Sequence, residues 1–437
     1  MRRILQPLAL AIGLAWLAGC ATTRPPETVA EPAPSPAFAE AHALAQSDAR
    51  ANAARIDALL ASLGDAELSR LATALAANDP LYPYAGRALL RRGLQPPHAF
   101  DRGFDFSGRA AADRDGYQPP MRIAVLLPLS GGLSAAAKPV RDGFLSGYFA
   151  ETRNRPAVTF YDSATGADAA YRKAVADGAD YVVGPLDRDQ VGSLFSRGAL
   201  DVPILALNHA NGAPPPGSVS FSLAPEDEGI AAAEYAITQG WRNVLVLSGP
   251  DDTLRRTATA FRERLLARGG RVAANLAASD AAGLATVAAN GPVDAIYFAT
   301  RSDQARAAMP VLMAHPQLSG ARRLAVSQIA NAPGKGDEAA LLDGILFPGE
   351  SMATHALPGM PADPAAFTPT AAGAAARLFA FGYDAWLISA YLPRLALAHQ
   401  GLPGATGTLQ LDGFGNILRV PAWSMLRGGV AIPANGR

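Results

Sequence analysis

The sequence predicts an α/β protein: two doubly wound parallel-sheet lobes preceded by a small all-α module. Three observations carry this. Short runs such as "RIAVLLP", "AVTFYD", "DYVVGP" and "VPILAL" are continuously apolar, not alternating, as expected of strands buried on both faces of a parallel sheet. Helical stretches separate them, near 134–152, 166–178 and 188–199, and the whole pattern restarts after about residue 224. Ahead of residue 121 the chain is rich in Ala, Leu and Arg, carries helix-ending signals and has no strand-like run.

Taken in order, the chain opens "MRRILQPLALAIGLAWLAGC". Arg2 and Arg3 form a charged start, and Ile4 to Leu17 an apolar core too short to span a bilayer as a helix. "LAGC" matches the lipobox of bacterial lipoproteins, so residues 1–19 are expected to be a signal peptide and Cys20, the only cysteine, the lipid-attachment residue and new N-terminus. Ala21 stands where inner-membrane retention would call for Asp, which points to the outer membrane of a Gram-negative bacterium, facing the periplasm. Residues 20–37, with prolines at 25, 26, 32, 34 and 36, read as a tether. At about 3.1 Å per residue in polyproline-like geometry it would reach roughly 50 Å.

Residues 38–98 read as a short helical module, with "ANAARIDALLASLG", "AELSRLATALAAND" and "YAGRALLRRGL" as its helices. Residues 99–120, rich in Gly and Asp and ending in a proline pair, read as a second linker. The rest, 121–437, forms the two lobes. The first covers about 121–224 plus later return segments, and the second about 225–345, with strands at "NVLVLSGP", "GRVAANLA", "VDAIYFAT" and "RRLAVSQ". That is four strands per lobe. A longer helix over about 371–399 and strand-and-turn pieces in "GTLQLDGFGNILRVPAW" complete the chain.

The 437 residues carry 38 basic and 38 acidic side chains, so no basic excess suits nucleic acid or an anionic membrane surface. Ser134 and Lys138 stand one residue further apart than the S-x-x-K of penicillin-binding enzymes and β-lactamases, and no K-T-G accompanies them. Ser134 is read as the helix N-cap instead. Gly131 and Gly132 make a strand-to-helix turn without any phosphate-binding glycine motif. Glu226, Asp227 and Glu228 follow Pro225 and are read as first-turn acids complementing a helix dipole. The six histidines show no zinc-ligand spacing, and only His209, beside Asn208, follows a strand end where parallel sheets place ligands. No G-x-S-x-G elbow is present. No catalytic residue, metal or cofactor is therefore expected.

Two doubly wound lobes opening "IAVLLPLSGGLS" resemble the type I periplasmic-binding-protein fold. Several segments in order are similar to the C-terminal domain of the outer-membrane lipoprotein activators of class A penicillin-binding proteins: "LLPLSG" with "VRDGF", "AYRKAVADGADYVVGPL", "VPILALN", "FSLAPEDEG", "DAIYFATRSDQAR", "RLFAFGYDAW" and "GATGTLQLD". The resemblance implies a regulator, not an enzyme. It would reach from the outer membrane through peptidoglycan to a class A penicillin-binding protein and activate it by favouring the active conformation. Such activators typically carry a longer N-terminal helical-repeat domain than the roughly 60 residues here. In amino-acid-binding relatives the lobes close on a ligand. The equivalent turns here offer Ser130, Gly131, Ser163, Gly184, Asn208 and Tyr383 as interlobe cleft residues. The competing expectation is a lipid-anchored solute-binding receptor for an amino acid or a peptidoglycan fragment.

Overall fold

The computed structural model describes residues 35–332, 334–357, 359–397 and 401–434. The signal peptide, Cys20 and nearly all of the tether lie outside these residues.

Four helices come first: α1 (Pro36–Asp48), α2 (Ala53–Ser62), α3 (Asp65–Ala74) and α4 (Tyr82–Arg91). Ile56, Leu60, Leu68, Leu81, Tyr82 and Leu89 form their shared core. Leucines at helical spacing on short segments can be buried only against one another. Residues 99–120 contain no helix or strand, yet they are not a free spacer. Phe104 and Phe106 pack on the core of the first lobe and Tyr117 enters it. The Gln118 amide donates to Ala390 O at 2.9 Å. Aromatics spaced irregularly among Gly and Asp give no periodicity to read, which is why the sequence suggests only a linker.

The first lobe runs β1 (Arg122–Leu127), α5 (Ser134–Ala150), β2 (Ala157–Asp162), α6 (Ala167–Ala176), β3 (Tyr181–Val183), α7 (Arg188–Phe195), β4 (Ile204–Ala206) and β5 (Val219–Phe221). The second runs α8 (Pro225–Thr238), β6 (Asn243–Ser248), α9 (Asp252–Ala267), β7 (Arg271–Ala277), α10 (Ala281–Ala289), β8 (Ala295–Ala299), α11 (Ser302–Ala314), α12 (Pro316–Ser319), β9 (Arg322–Ala325), α13 (Asp337–Ala340) and β10 (Leu346–Gly349). Each lobe thus has five parallel strands instead of the four read from the sequence. The fifth strands are poorly marked. Serines alternate along β5 (Ser218, Ser220 and Ser222, all buried), and β10 ends in Pro348-Gly349, residues that argue against a strand.

Helix α14 (Ala376–Leu397) returns to the first lobe and lies against α5. It continues through Pro393, with its one non-helical residue at Tyr391, so the proline bends the helix without ending it. β11 (Leu402–Pro403), β12 (Thr408–Leu411) and β13 (Asn416–Val420) extend the first sheet, and β14 (Ala422–Arg427) and β15 (Val430–Pro433) the second. The sheet orders are β11-β12-β13-β5-β4-β3-β1-β2 and β15-β14-β10-β9-β8-β6-β7. Only Pro421 separates β13 from β14, so there the chain passes from one lobe to the other in a single residue. It crosses also between β5 and α8, and between β10 and α14. Helices cover both faces of each sheet, as doubly wound folds require. Among the described residues, no helix is long and apolar enough to cross a membrane.

Candidate functional site

In both sheets the order of the parallel strands reverses at the first strand of the lobe, β1 or β6. The crevice beyond the strand C-termini is where such folds place ligands. A cleft of about 690 Å³ lies there, walled by Leu133, Asp187, Asn208, His209, Glu226 and Arg256 among others. Asn208 reaches it from the end of β4, its Nδ2 donating to Leu186 O at 3.0 Å. His209 is tied through Nδ1 to Ser220 Oγ at 2.9 Å.

The other five predicted cleft residues are not part of that wall. Ser130 Oγ donates to Asp162 Oδ2 at 2.6 Å inside the first lobe, and this bond holds the Asp162 carboxyl below the ordinary carboxylate range. Gly131 turns the chain with φ +71°. Ser163 is buried, its amide bonded to Leu127 O at 2.9 Å. Gly184 is needed by the backbone: a Cβ there would stand 2.1 Å from Leu126 O. Tyr383 faces a separate apolar cluster with Met352, Leu357 and Met360, where desolvation pushes its phenol up to about 12. Ser134 and Lys138 do not pair either. Ser134 is the first residue of α5, not its cap; Leu133 holds that position, and the serine hydroxyl donates to Gly131 O at 2.8 Å. Lys138 pairs with Asp142 at 2.9 Å.

What the sequence reading missed is how the acids after Pro225 are used. Arg256 Nε and Nη2 grip Glu226 at 2.7 and 3.0 Å. Burial works against the Glu226 charge, but the guanidinium outweighs it and keeps the carboxyl below the usual range. Glu228 is 6% exposed and accepts from the Ser327 amide, from Ser327 Oγ at 3.2 Å and from Arg377 Nη1 at 2.9 Å. Arg377 lies in the first turn of α14, which belongs to the first lobe, whereas Glu228 and Ser327 belong to the second. Burial alone would lower the Arg377 pKa; Glu228 and Glu350 facing it raise it instead. This cluster latches the lobes together. Glu228→Gln keeps the shape and removes the charge, so denaturant unfolding should show a loss of about 2 kcal/mol; an unchanged midpoint would mean that the latch contributes nothing.

The family described as LppC putative lipoprotein matches residues 116–282. A penicillin-binding protein activator LpoA from Vibrio antiquarius is 30% identical over 151 residues, 32% of this chain and 25% of that protein. One from Vibrio cholerae is 25% identical over 345 residues, 70% of this chain and 57% of that protein. The LpoA C-domain from Haemophilus influenzae, titled a regulator of PBP1A, superposes with TM-score 0.61 at 24% identity, over 72% of this chain and 99% of that one. Over most of its length the chain is similar to the penicillin-binding protein activators. Full-length LpoA from the same organism has TM-score 0.63 at 20% identity and covers 90% of this chain and 73% of that one. A putative branched-chain amino acid ABC transporter protein from Chromobacterium violaceum, 28% identical with TM-score 0.58 over 70% of this chain, shares the two-lobed fold. The matches to the two curated activators cover from about a quarter to just over half of those relatives' length.

The wording shared with the activator family turns out to be scaffold. In "GYDAW", Asp384 is fully buried and accepts from Ala405 N at 2.5 Å, Thr406 N at 2.8 Å and Thr406 Oγ1 at 2.5 Å, all within "GATGTLQLD". Two distant motifs are thus one unit, a carboxyl closing a turn.

Proposed function

We propose that this chain is a lipid-anchored activator of the outer membrane, held through Cys20, that binds a class A penicillin-binding protein and stimulates its peptidoglycan synthesis. It acts as a regulator, not as an enzyme. Activation is allosteric: the chain binds the active conformation of the synthase more tightly than the resting one. The relatives' names support the role. The observation that carries it is the latch of Arg377, Glu228 and Ser327, joined by a second tie. The helical module touches both lobes, through Arg268 of the second lobe bonded to Leu63 O and Asp65, and through Tyr84 against Phe414 of the first at 4.7 Å. A receptor has to open and close around its ligand, whereas these contacts favour a rigid docking platform.

The purified protein should bind a cognate class A synthase and raise its cross-linking rate; no binding and no change in rate would overturn the reading. The likeness to the Chromobacterium violaceum protein supports the receptor alternative, which predicts a different result. An amino acid at 100 times its Kd would then add about 2.7 kcal/mol to stability, and Asn208→Ala or His209→Ala would remove that gain.

A further inference from the structure

A second cavity, of about 230 Å³, lies where α4, α8 and the β13–β14 crossing meet, and shares Asp227 with the interlobe cleft. Arg91, Arg92 and Arg419 line it, with Leu90, Ile230 and Val420 among its apolar walls and Tyr235 and Trp423 stacked at 3.8 Å between ring centres. Its charges are not balanced from within. Glu234 is taken by Arg264 and Arg268, and Arg92, whose side chain is only 1% exposed, pairs with Asp65 at 2.9 Å. Among the described residues, the Arg91 and Arg419 side chains have no hydrogen-bond or ion-pair partner. The Nε–H groups of Arg92 and Arg419 are buried without an acceptor. Burial holds both the Arg91 and the Arg419 guanidinium below the usual arginine range. Asp227 is the one acid on the wall outside any ion pair, so Arg91 and Arg419 exceed it by one charge, and the paired set beside them, Arg92, Arg264 and Arg268 against Asp65 and Glu234, is also one cation in excess.

We propose that this pocket binds a carboxylate ligand with an apolar or aromatic body, the carboxylate held by Arg91 and Arg419 and the body against Tyr235 and Trp423. The excess of cations suits an anion, and the planar guanidinium fork suits the two oxygens of a carboxylate. The orphaned Nε–H groups give a reason for occupancy, because a buried donor without an acceptor is costly. The assignment is independent of the activator reading. The ligand is either a free small molecule or the C-terminal end of a protein chain, and the two share this chemistry.

The test is titration calorimetry on the full-length protein in detergent with N-acetylphenylalanine, its carboxamide and a decapeptide ending in phenylalanine. The acid should bind, and the carboxamide about tenfold more weakly or worse. Arg91→Gln and Arg419→Gln should each weaken the acid by about tenfold or more, whereas Arg419→Lys retains part of the affinity. A decapeptide tighter than the single residue points to a chain terminus, and the reverse order to a free molecule. Ligand-free, both glutamine variants should melt no lower than the parent, because each removes an unpaired buried charge. Three results would each overturn the proposal: no binding at millimolar concentration, equal binding of acid and amide, or glutamine variants that melt lower while binding normally.

Discussion

Replacing Asp384 by alanine is expected to cost about 4 kcal/mol of stability. The carboxyl is fully buried, and its removal strands the amides of Ala405 and Thr406 and the Thr406 hydroxyl without an acceptor. Denaturant unfolding measures this directly, and a loss under about 1 kcal/mol would mean that the turn re-forms without it. The group also predicts a pH dependence. Desolvation pushes its carboxyl up to about 7, from an ordinary value of 3.8, against the pull of Thr406 and Ala405. The folded state therefore keeps this proton while the unfolded chain gives it up. Its contribution to stability is greatest below about pH 4, declines as pH rises towards 7 and is flat above. The full decline is bounded at about 4 kcal/mol. Asp384→Asn, which cannot ionise, should lose that slope while costing less than the alanine variant. A slope that survives in the asparagine variant would assign it to another group.

That carboxyl shows what could be read from the chain alone. The two doubly wound lobes were legible because buried parallel strands leave uninterrupted apolar runs, as in "RIAVLLP" and "NVLVLSGP", with helical stretches between them. β5 and β10 were not, since Ser220 and Pro348 belong to strands only through what packs around them. The same holds for the crossing at Pro421, where one residue carries the chain between sheets. Which side chains after a strand face the other lobe depends on turn geometry that no motif encodes. Only Asn208 among the six reaches the cleft wall. The latch was hidden because Glu228 is 99 residues from Ser327 and 149 from Arg377. Among first-turn acids, position alone gives no means of separating a dipole partner from a tertiary ligand.

Gly143 and Gly382 carry the second large effect. They lie on α5 and α14 where the two helices meet, within the "VRDGF" and "GYDAW" wording. A Cβ on Gly143 would stand 1.9 Å from Phe379 O, and one on Gly382 1.9 Å from Val140 O. Both obstacles are backbone, which cannot turn aside as a side chain can, so each alanine forces the helices apart. Gly143→Ala and Gly382→Ala should each cost about 3 kcal/mol or more, at the top of the range for overpacking. The double variant should cost much less than the sum, because helices already separated by one methyl group accommodate the other. Full additivity would mean that the helices relax separately at the two sites. The consequence extends past the first lobe. α14 begins at Ala376, so a displaced α14 moves Arg377 away from Glu228 and Ser327 and loosens the latch between the lobes. If a rigid platform is what the synthase meets, either glycine variant should still fold at low temperature yet stimulate cross-linking less than the parent. Glu228→Gln, which loosens the latch without moving α14, should reproduce part of that loss. Stimulation that survives in all three would uncouple the latch from activation and place the docking surface on one lobe alone.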